Sequence, residues 1–266
     1  MIDQKNILVT GGTSGIGEEI AKSLYNNGNK IFVTYRNKKK IKDWQKKDSK
    51  RICMIEVDFN NESKVQKLCT QIEKSKINID ILINNAGIYN FQKLINLRIN
   101  DLKNEFNINC FIPTLISCAF AKQQKKNKRF GNIINILSFA TIIPSFGRAT
   151  YAASKTAFSV FTKTMAAEFY AMGIARVNGI IPGVIPTKMN SRNIKKNKKK
   201  LLQPISIGKF GSTKDISNIT NFLISKEADY LNGSIIDVSG GKFLIQNQED
   251  ARWERSKLIL DTQKKI

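Results

Sequence analysis

The chain has 266 residues, with 44 Lys and Arg against 21 Asp and Glu, a formal net charge of +23, and no histidine. Without an imidazole, Ser-His and Cys-His nucleophile pairs and any histidine-ligated metal are excluded, and no metal is expected. No apolar run approaches the ~20 residues of a membrane span, so no membrane association is expected. In chain order, residues 7–10 read as a short apolar strand that runs into Gly11-Gly12-Thr13-Ser14-Gly15-Ile16-Gly17. A helical pattern follows through Ile20, Ala21 and Leu24 and closes at Asn26-Asn27-Gly28. Strand, glycine turn and helix open a dinucleotide-binding fold. The glycines allow a tight turn and close backbone approach, and the helix N-terminus faces a pyrophosphate. The spacing, Gly11-x3-Gly15-x-Gly17, departs from G-x-G-x-x-G. Because the first strand begins so near Met1, no cleaved leader is expected.

Residues 31–35 form a second strand, and its end bears on the cofactor. A carboxylate there would accept the ribose hydroxyls of NAD. This chain has Arg36, then Asn37 and Lys38. A guanidinium suits a 2′-phosphate, so NADP(H) is expected and NAD(H) is the alternative. The competing reading makes residues 36–40 the solvated start of a helix. Residues 52–57 are a third strand ended by Asp58, placed to meet an adenine amino group or to cap a helix over residues 62–77. Residues 79–83 are a fourth strand, followed by Asn84-Asn85-Ala86-Gly87, a stretch that lets a ring lie on the backbone or simply turns. Residues 101–124 read as one long helix kinked at Pro113. Asn109, in its middle, is unfavourable by propensity, so it points outward or serves a site. Residues 131–137 are a fifth strand that delivers Ser138 to the strand's C-terminal end, where parallel sheets bind ligands.

The helix from Tyr151 carries Tyr151-Ala-Ala-Ser-Lys155. Positions i and i+4 share a face, so phenol and ammonium lie together. A nearby cation lowers a tyrosine pKa from about 10, and such a tyrosine exchanges a proton with a carbonyl or alcohol oxygen. Alone, Tyr-x3-Lys is a common surface pattern. Its weight here comes from the nucleotide-binding features upstream.

Taken together, Thr10-Gly-Gly-Thr-Ser-Gly-Ile-Gly17, Asn84-Asn-Ala-Gly87, Asn109, Ser138, Tyr151-x3-Lys155 and Pro182-Gly-Val-Ile-Pro-Thr187 resemble the short-chain dehydrogenase/reductases over residues 5–244. The stretches 131–155 and 173–187 are most similar to beta-ketoacyl-acyl-carrier-protein reductases and related NADP-dependent carbonyl reductases. The resemblance implies a single α/β Rossmann-fold domain over residues 1–245, with a doubly wound parallel sheet of about seven strands and helices on both faces. A tail over residues 246–266 follows, whose 249–264 span reads as a helix or a loose end.

The resemblance also implies roles. Tyr151 is the general acid, Ser138 orients the carbonyl oxygen, and Lys155 lowers the tyrosine pKa and binds the nicotinamide ribose. Asn109 holds a water in a proton relay to Lys155. Gly11, Thr13, Ser14, Gly15, Ile16 and Gly17 surround the phosphates, Arg36 takes the 2′-phosphate, and Asp58 meets adenine. Asn84, Ala86 and Gly87 line the adenosine side, while Pro182, Gly183, Ile185 and Thr187 flank the nicotinamide. A catalytically idle binding module would not need Ser138, Tyr151 and Lys155 together.

Departures and surfaces remain. Leu137 stands where many relatives have serine, and Pro186 stiffens the start of a basic lid over residues 188–204. Ile142, Ile143, Phe146, Val184 and Met189 are expected to line the substrate cleft, with Arg148 placed to meet an anionic group or to sit in solvent. Lys125, Lys126, Lys128 and Arg129 are expected near the active-site mouth, where an acidic acyl carrier protein would dock. The alternative substrate is a sugar-nucleotide or another small alcohol or ketone, as in surface polysaccharide biosynthesis. The helix from Tyr151 is apolar on more than one face, with Phe158, Val160, Phe161 and Phe169, which suggests a subunit interface; the resemblance implies a tetramer, or a dimer. Cys53, Cys69, Cys110 and Cys118 lack metal or redox spacing and read as reduced thiols of a cytoplasmic protein. The lysines scatter along the chain beside abundant Asn and Ile, a codon-bias signature, and no aromatic-basic interleaving points to nucleic acid.

Overall fold

The strands are built from short β-branched runs whose alternate residues face opposite layers. The computed structural model describes residues 4–244. In β1 (Asn6–Val9), Ile7 and Val9 enter one core while Leu8 enters the other. This is the period-2 alternation of a strand buried on both faces. Chain order continues through α1 (Gly15–Asn26), β2 (Lys30–Tyr35), α2 (Asp43–Lys46), β3 (Ile52–Glu56), α3 (Glu62–Glu73) and β4 (Ile81–Asn84). Then come α4 (Ile99–Phe106), α5 (Ile112–Asn127), β5 (Gly131–Ile136), α6 (Ala149–Ala171), β6 (Ala175–Pro182), α7 (Ser191–Leu202), α8 (Thr213–Ile224) and β7 (Ile235–Val238).

The seven strands form one parallel sheet in the order β3-β2-β1-β4-β5-β6-β7. One core packs Ile20, Leu24, Ile216 and Leu223 of α1 and α8 beneath β1. The other packs Leu68, Ile116, Phe120 and Phe158 of α3, α5 and α6 above it. The single α/β domain with a doubly wound sheet is thus present. The strand order reverses between β1 and β4, and such a reversal opens a crevice at the C-terminal ends of the strands. Among the described residues no helix is long and apolar enough to cross a membrane. The four cysteines are free thiols, and burial pushes Cys69 and Cys110 up to about 11. The predicted 246–266 tail lies outside the described residues.

Three sequence expectations differ from the structure. The long kinked helix is instead α4, a π turn at Asn107–Phe111, and α5. Pro113 falls in the first turn of α5, directly after the π turn. Asn109 sits in the π turn, fully buried. Second, the helix after β3 is capped by Asn61, whose side chain accepts from Lys64 N, and not by Asp58.

Third, the Lys125–Arg129 stretch joins the end of α5 to the start of β5. A helix-to-strand connection in a parallel sheet lies at the strands' N-terminal edge. The cluster therefore sits across the sheet from the cleft of its own chain, not at the mouth. There Arg129 pairs with Asp80 and donates to Asn78 Oδ1 at 2.9 Å.

Candidate active site

One cleft of about 500 Å³ runs along the C-terminal ends of the strands. Its first wall is the turn between β1 and α1. Gly11 has φ +65°, and a Cβ there would lie 3.1 Å from Ala86 Cα. At Gly17 a Cβ would meet Asn85 Nδ2 at 2.2 Å and Gly11 O at 2.7 Å. Only glycine lets this turn close onto the loop after β4. Thr10 binds that loop from below: its hydroxyl accepts from Asn85 N at 2.9 Å and from Ala86 N at 3.0 Å. Asn85 in turn donates to Thr10 O at 2.9 Å. Ser14, the N-cap of α1, spends no side-chain hydrogen bond on its own helix. The first-turn N–H groups of α1 therefore face the cleft with the positive end of the helix dipole behind them.

Gly11, Thr13, Ser14, Gly15 and Ile16 line this end of the cleft, with exposed Arg36, Asn37 and Lys40 beyond β2 and Asp58 beyond β3. Asp58 Oδ1 accepts from Asn60 N at 3.0 Å. Ala86 and Gly87 line the middle. Pro182, Gly183, Ile185 and Thr187, after β6, line the opposite wall. A Cβ on Gly15 would touch Thr187 Cγ2 at 3.2 Å, so the glycine turn and the segment after β6 meet over the sheet.

Ser138, Tyr151 and Lys155 converge on the same cleft. Ser138 follows β5 in extended conformation, and its Oγ accepts from Ala140 N at 3.1 Å. Burial holds the Tyr151 phenol above its ordinary range, while Ser138 and the Arg148 guanidinium pull it down. Lys155 is 4% exposed and donates to Ile136 O at 2.9 Å. Burial lowers its pKa to about 8. Its Nζ is anchored on the β5 carbonyl, on the wall of the cleft that Tyr151 also lines.

Three predicted residues stand outside the cleft wall. Gly17 is buried against Asn85. Asn84 points into the layer under α5, donating to Ser117 Oγ and Asn135 Oδ1, each at 2.9 Å. Its register opposite Asn135 in β4–β5 turns it away, and the next residue, Asn85, reaches the cleft instead. Asn109 braces the loop: its Oδ1 accepts from Ile88 N at 2.9 Å, and its Nδ2 donates to Ile88 O at 2.9 Å and to Ser154 Oγ at 3.1 Å. A Cβ on Gly87 would lie 3.1 Å from Asn109 Oδ1 and 3.5 Å from Lys155 Nζ, so the glycine keeps a passage open between them.

Of the expected substrate wall, Ile143, Val184, Met189 and Arg148 line the cleft. Ile142 and Phe146 do not; they are 51% and 78% exposed, and Phe146 packs on Phe91 with ring centroids 6.2 Å apart. The predicted lid is α7, bent at Asn197, with Asn193, Ile194 and Leu201 facing the cleft and its lysines in solvent. Among the wall residues that went unforeseen are Tyr89 and Lys242. Tyr89 sets its ring against Tyr151 at 5.8 Å, and Lys242 enters after β7. Neither carries a local pattern that marks it. Among the described residues no cluster of three or more metal-ligating side chains forms.

Comparison with known proteins matches this geometry. The short chain dehydrogenase family model covers residues 5–198. The chain is 34% identical over 242 residues to the 3-oxoacyl-[acyl-carrier-protein] reductase of Buchnera aphidicola, covering 91% of this chain and 98% of that one. It is 31% identical to the Rickettsia prowazekii enzyme of the same name, covering 91% and 98%. Among solved structures, a 4-hydroxyisoleucine dehydrogenase mutant complexed with NADH and succinate superposes with TM-score 0.85 at 31% identity, covering 91% of this chain and all of that one. A 2-deoxy-D-gluconate 3-dehydrogenase homologue from Agrobacterium tumefaciens with bound NADP gives 0.80 at 28% identity, covering 90% and 96%.

Proposed function

The chain belongs to the short chain dehydrogenase family of oxidoreductases, and from that premise we propose that it reduces a carbonyl to an alcohol with NADP(H), acting most like the 3-oxoacyl-acyl-carrier-protein reductases. The observation that carries this reading is the meeting of Ser138, Tyr151 and Lys155 in a cleft whose far end holds Arg36 and Lys40. The residues fit a dinucleotide: a glycine turn that any Cβ would block, free helix N–H groups for the pyrophosphate, and two cations for a 2′-phosphate. Asp58 meets adenine, Ala86 and Gly87 leave room for the adenosine, and Pro182 to Thr187 flank the nicotinamide. A nicotinamide held there supplies or accepts the hydride.

The chain's own groups handle the proton. Tyr151, kept protonated by burial, donates from Oη to the carbonyl oxygen as charge develops there. Ser138 Oγ donates a hydrogen bond to the same oxygen and fixes its position. Lys155 holds the nicotinamide ribose and, with a water in the passage beside Asn109 and Gly87, returns a proton to Tyr151. Exposed Val160 and Phe161 on α6 and Leu115 on α5 support assembly of two or four copies. An acyl carrier protein is the partner this reading brings.

A second reading, a small alcohol or ketone, is favoured by Arg148 and Lys242 in the wall. A solved relative of the chain holds succinate, a small dicarboxylate.

The test is oxidation of NADPH by acetoacetyl-CoA, beside NADH and a Tyr151→Phe variant. Turnover with NADPH that vanishes in the variant is the expected result. Dinucleotide binding without turnover of this or any other carbonyl would overturn the reductase reading.

A further inference from the structure

The substrate end of the cleft contains two cations with no ion-pair partner among the described residues. Arg148, at the N-terminus of α6, places its guanidinium 4.5 Å from the centroid of the Tyr89 ring. The same ring meets the Tyr151 ring edge-on, with centroids 5.8 Å apart. Lys242 places its ammonium 4.5 Å from the Phe139 ring centroid. Both side chains are half-buried and both line the cleft.

Their placement is built. Lys242 follows Gly240 and Gly241, with φ of +72° and +71°, a turn that folds the chain back over β7. Its backbone bridges to Ile205, and its N–H donates to Ser239 Oγ at 3.2 Å. Tyr89, the seat of Arg148, is tied to the lid segment by its hydroxyl, which donates to Met189 O at 3.1 Å.

Neither cation joins an ion pair among the described residues. Among the described residues Asp58 is the one acidic side chain in this wall, at the opposite end of the cleft with Val57 and Phe59. Asp101 and Glu105 share a separate small gap with Arg148, but Asp101 pairs with Arg98 and Glu105 accepts from Asn90 N. The two cations also feel each other: after burial, Arg148 is the group that lowers the Lys242 pKa. Aromatic faces are weak compensation for two half-buried like charges. An anion between them would relieve both the desolvation and the repulsion, and a guanidinium presents a fork that matches a carboxylate or phosphate.

We infer that Arg148 and Lys242 form an anion subsite, and that the substrate is a small oxo or hydroxy compound carrying a carboxylate or phosphate a short spacer from the reacting carbon. The inference rests on the carbonyl-reductase reading above and, within it, favours the second substrate class, a small alcohol or ketone, over the acyl thioester. An acyl thioester is neutral near its keto group and would leave both cations unpaired.

The test is calorimetric titration of the dinucleotide-loaded protein with succinate and with glycerol 3-phosphate. Their neutral matches, succinamide and glycerol, serve as references. At least one anion binds about tenfold or more tightly than its match. Succinate winning identifies a carboxylate, and glycerol 3-phosphate winning identifies a phosphate. That preference falls about tenfold in Lys242→Met and in Arg148→Met, and is retained in Lys242→Arg. Dinucleotide affinity of each variant checks that the cleft is still folded. Anions binding no better than their neutral matches, or a preference that survives the double variant, would overturn the subsite. Anion preference without turnover of any carbonyl would instead sink the reductase reading and leave the subsite standing.

Discussion

Asn109 offers a clean test of how the cleft is held together. Replacing it with alanine removes the acceptor for Ile88 N and the donor to Ile88 O. It also removes the donor to Ser154, but the Ser154 hydroxyl keeps its own bond to Tyr151 O at 2.8 Å and is not orphaned. The damage therefore falls on two main-chain groups of Ile88. A buried polar group left without a partner costs roughly 1–3 kcal/mol. Ile88 is half-buried, so water recovers part of this, and the expected loss is about 2–3 kcal/mol, a large share of a typical 5–15 kcal/mol. Denaturant unfolding reads it as a lower midpoint at unchanged slope. Asn109→Asp keeps the acceptor for Ile88 N but sets a carboxylate oxygen against Ile88 O, so it is at least as unstable at neutral pH and recovers as acid protonates it. Activity falls in both, because Gly87 and Tyr89 ride on the same loop. A loss below about 0.5 kcal/mol in the alanine variant would refute the bracing argument.

Three further outcomes follow from the geometry. Lys155 has a pKa lowered to about 8 by burial, so it is cationic below that pH and neutral above. With an ammonium required, kcat/KM for reduction falls as pH rises through that value, and a flat profile across it would refute the role. Gly17→Ala puts a methyl 2.2 Å from Asn85 Nδ2, so the turn is forced off the β4 loop. NADPH affinity by fluorescence titration then drops tenfold or more, about 1.4 kcal/mol, and an unchanged affinity would show that the turn yields freely. Arg36→Glu replaces a charge-assisted bond, about 1.5–3 kcal/mol, with repulsion, so the NADPH-over-NADH ratio in kcat/KM falls by at least an order of magnitude. An unmoved ratio would place the 2′-phosphate elsewhere.

How much of this was legible in the sequence depends on how local each signal is. The sheet could be read because Ile7, Leu8 and Val9 have buried places on both faces, and such runs carry their own pattern. Ser138, Tyr151 and Lys155 could be read because a strand end and a helix turn fix their directions. Asn84 and Asn85 could not be told apart: successive strand residues point to opposite faces, and only the register with Asn135 assigns them. The π turn was hidden because a single extra residue leaves helical periodicity nearly intact. The position of Lys125 to Arg129 was misjudged because charge says nothing about which edge of the sheet a connection lies on. Lys242 and Tyr89 reach the site through tertiary packing alone.

The same distinction settles what the net charge of +23 signifies. Most of it is spread over exposed faces, such as the five lysines of α7, where salt screens each charge within about 8 Å. The cleft is different. Among the described residues its wall holds Arg36, Lys40, Arg148, Lys155, Lys188 and Lys242 against a single carboxylate, Asp58. Low-dielectric walls on either side focus that field and screen it less than an open surface would. The cations are also divided, with Arg36 and Lys40 at the adenosine end and Arg148 and Lys242 beyond Tyr151. A dinucleotide phosphate satisfies only the first pair. The second pair has no ion-pair partner among the described residues, and it is this pair that the anion subsite inferred above would answer.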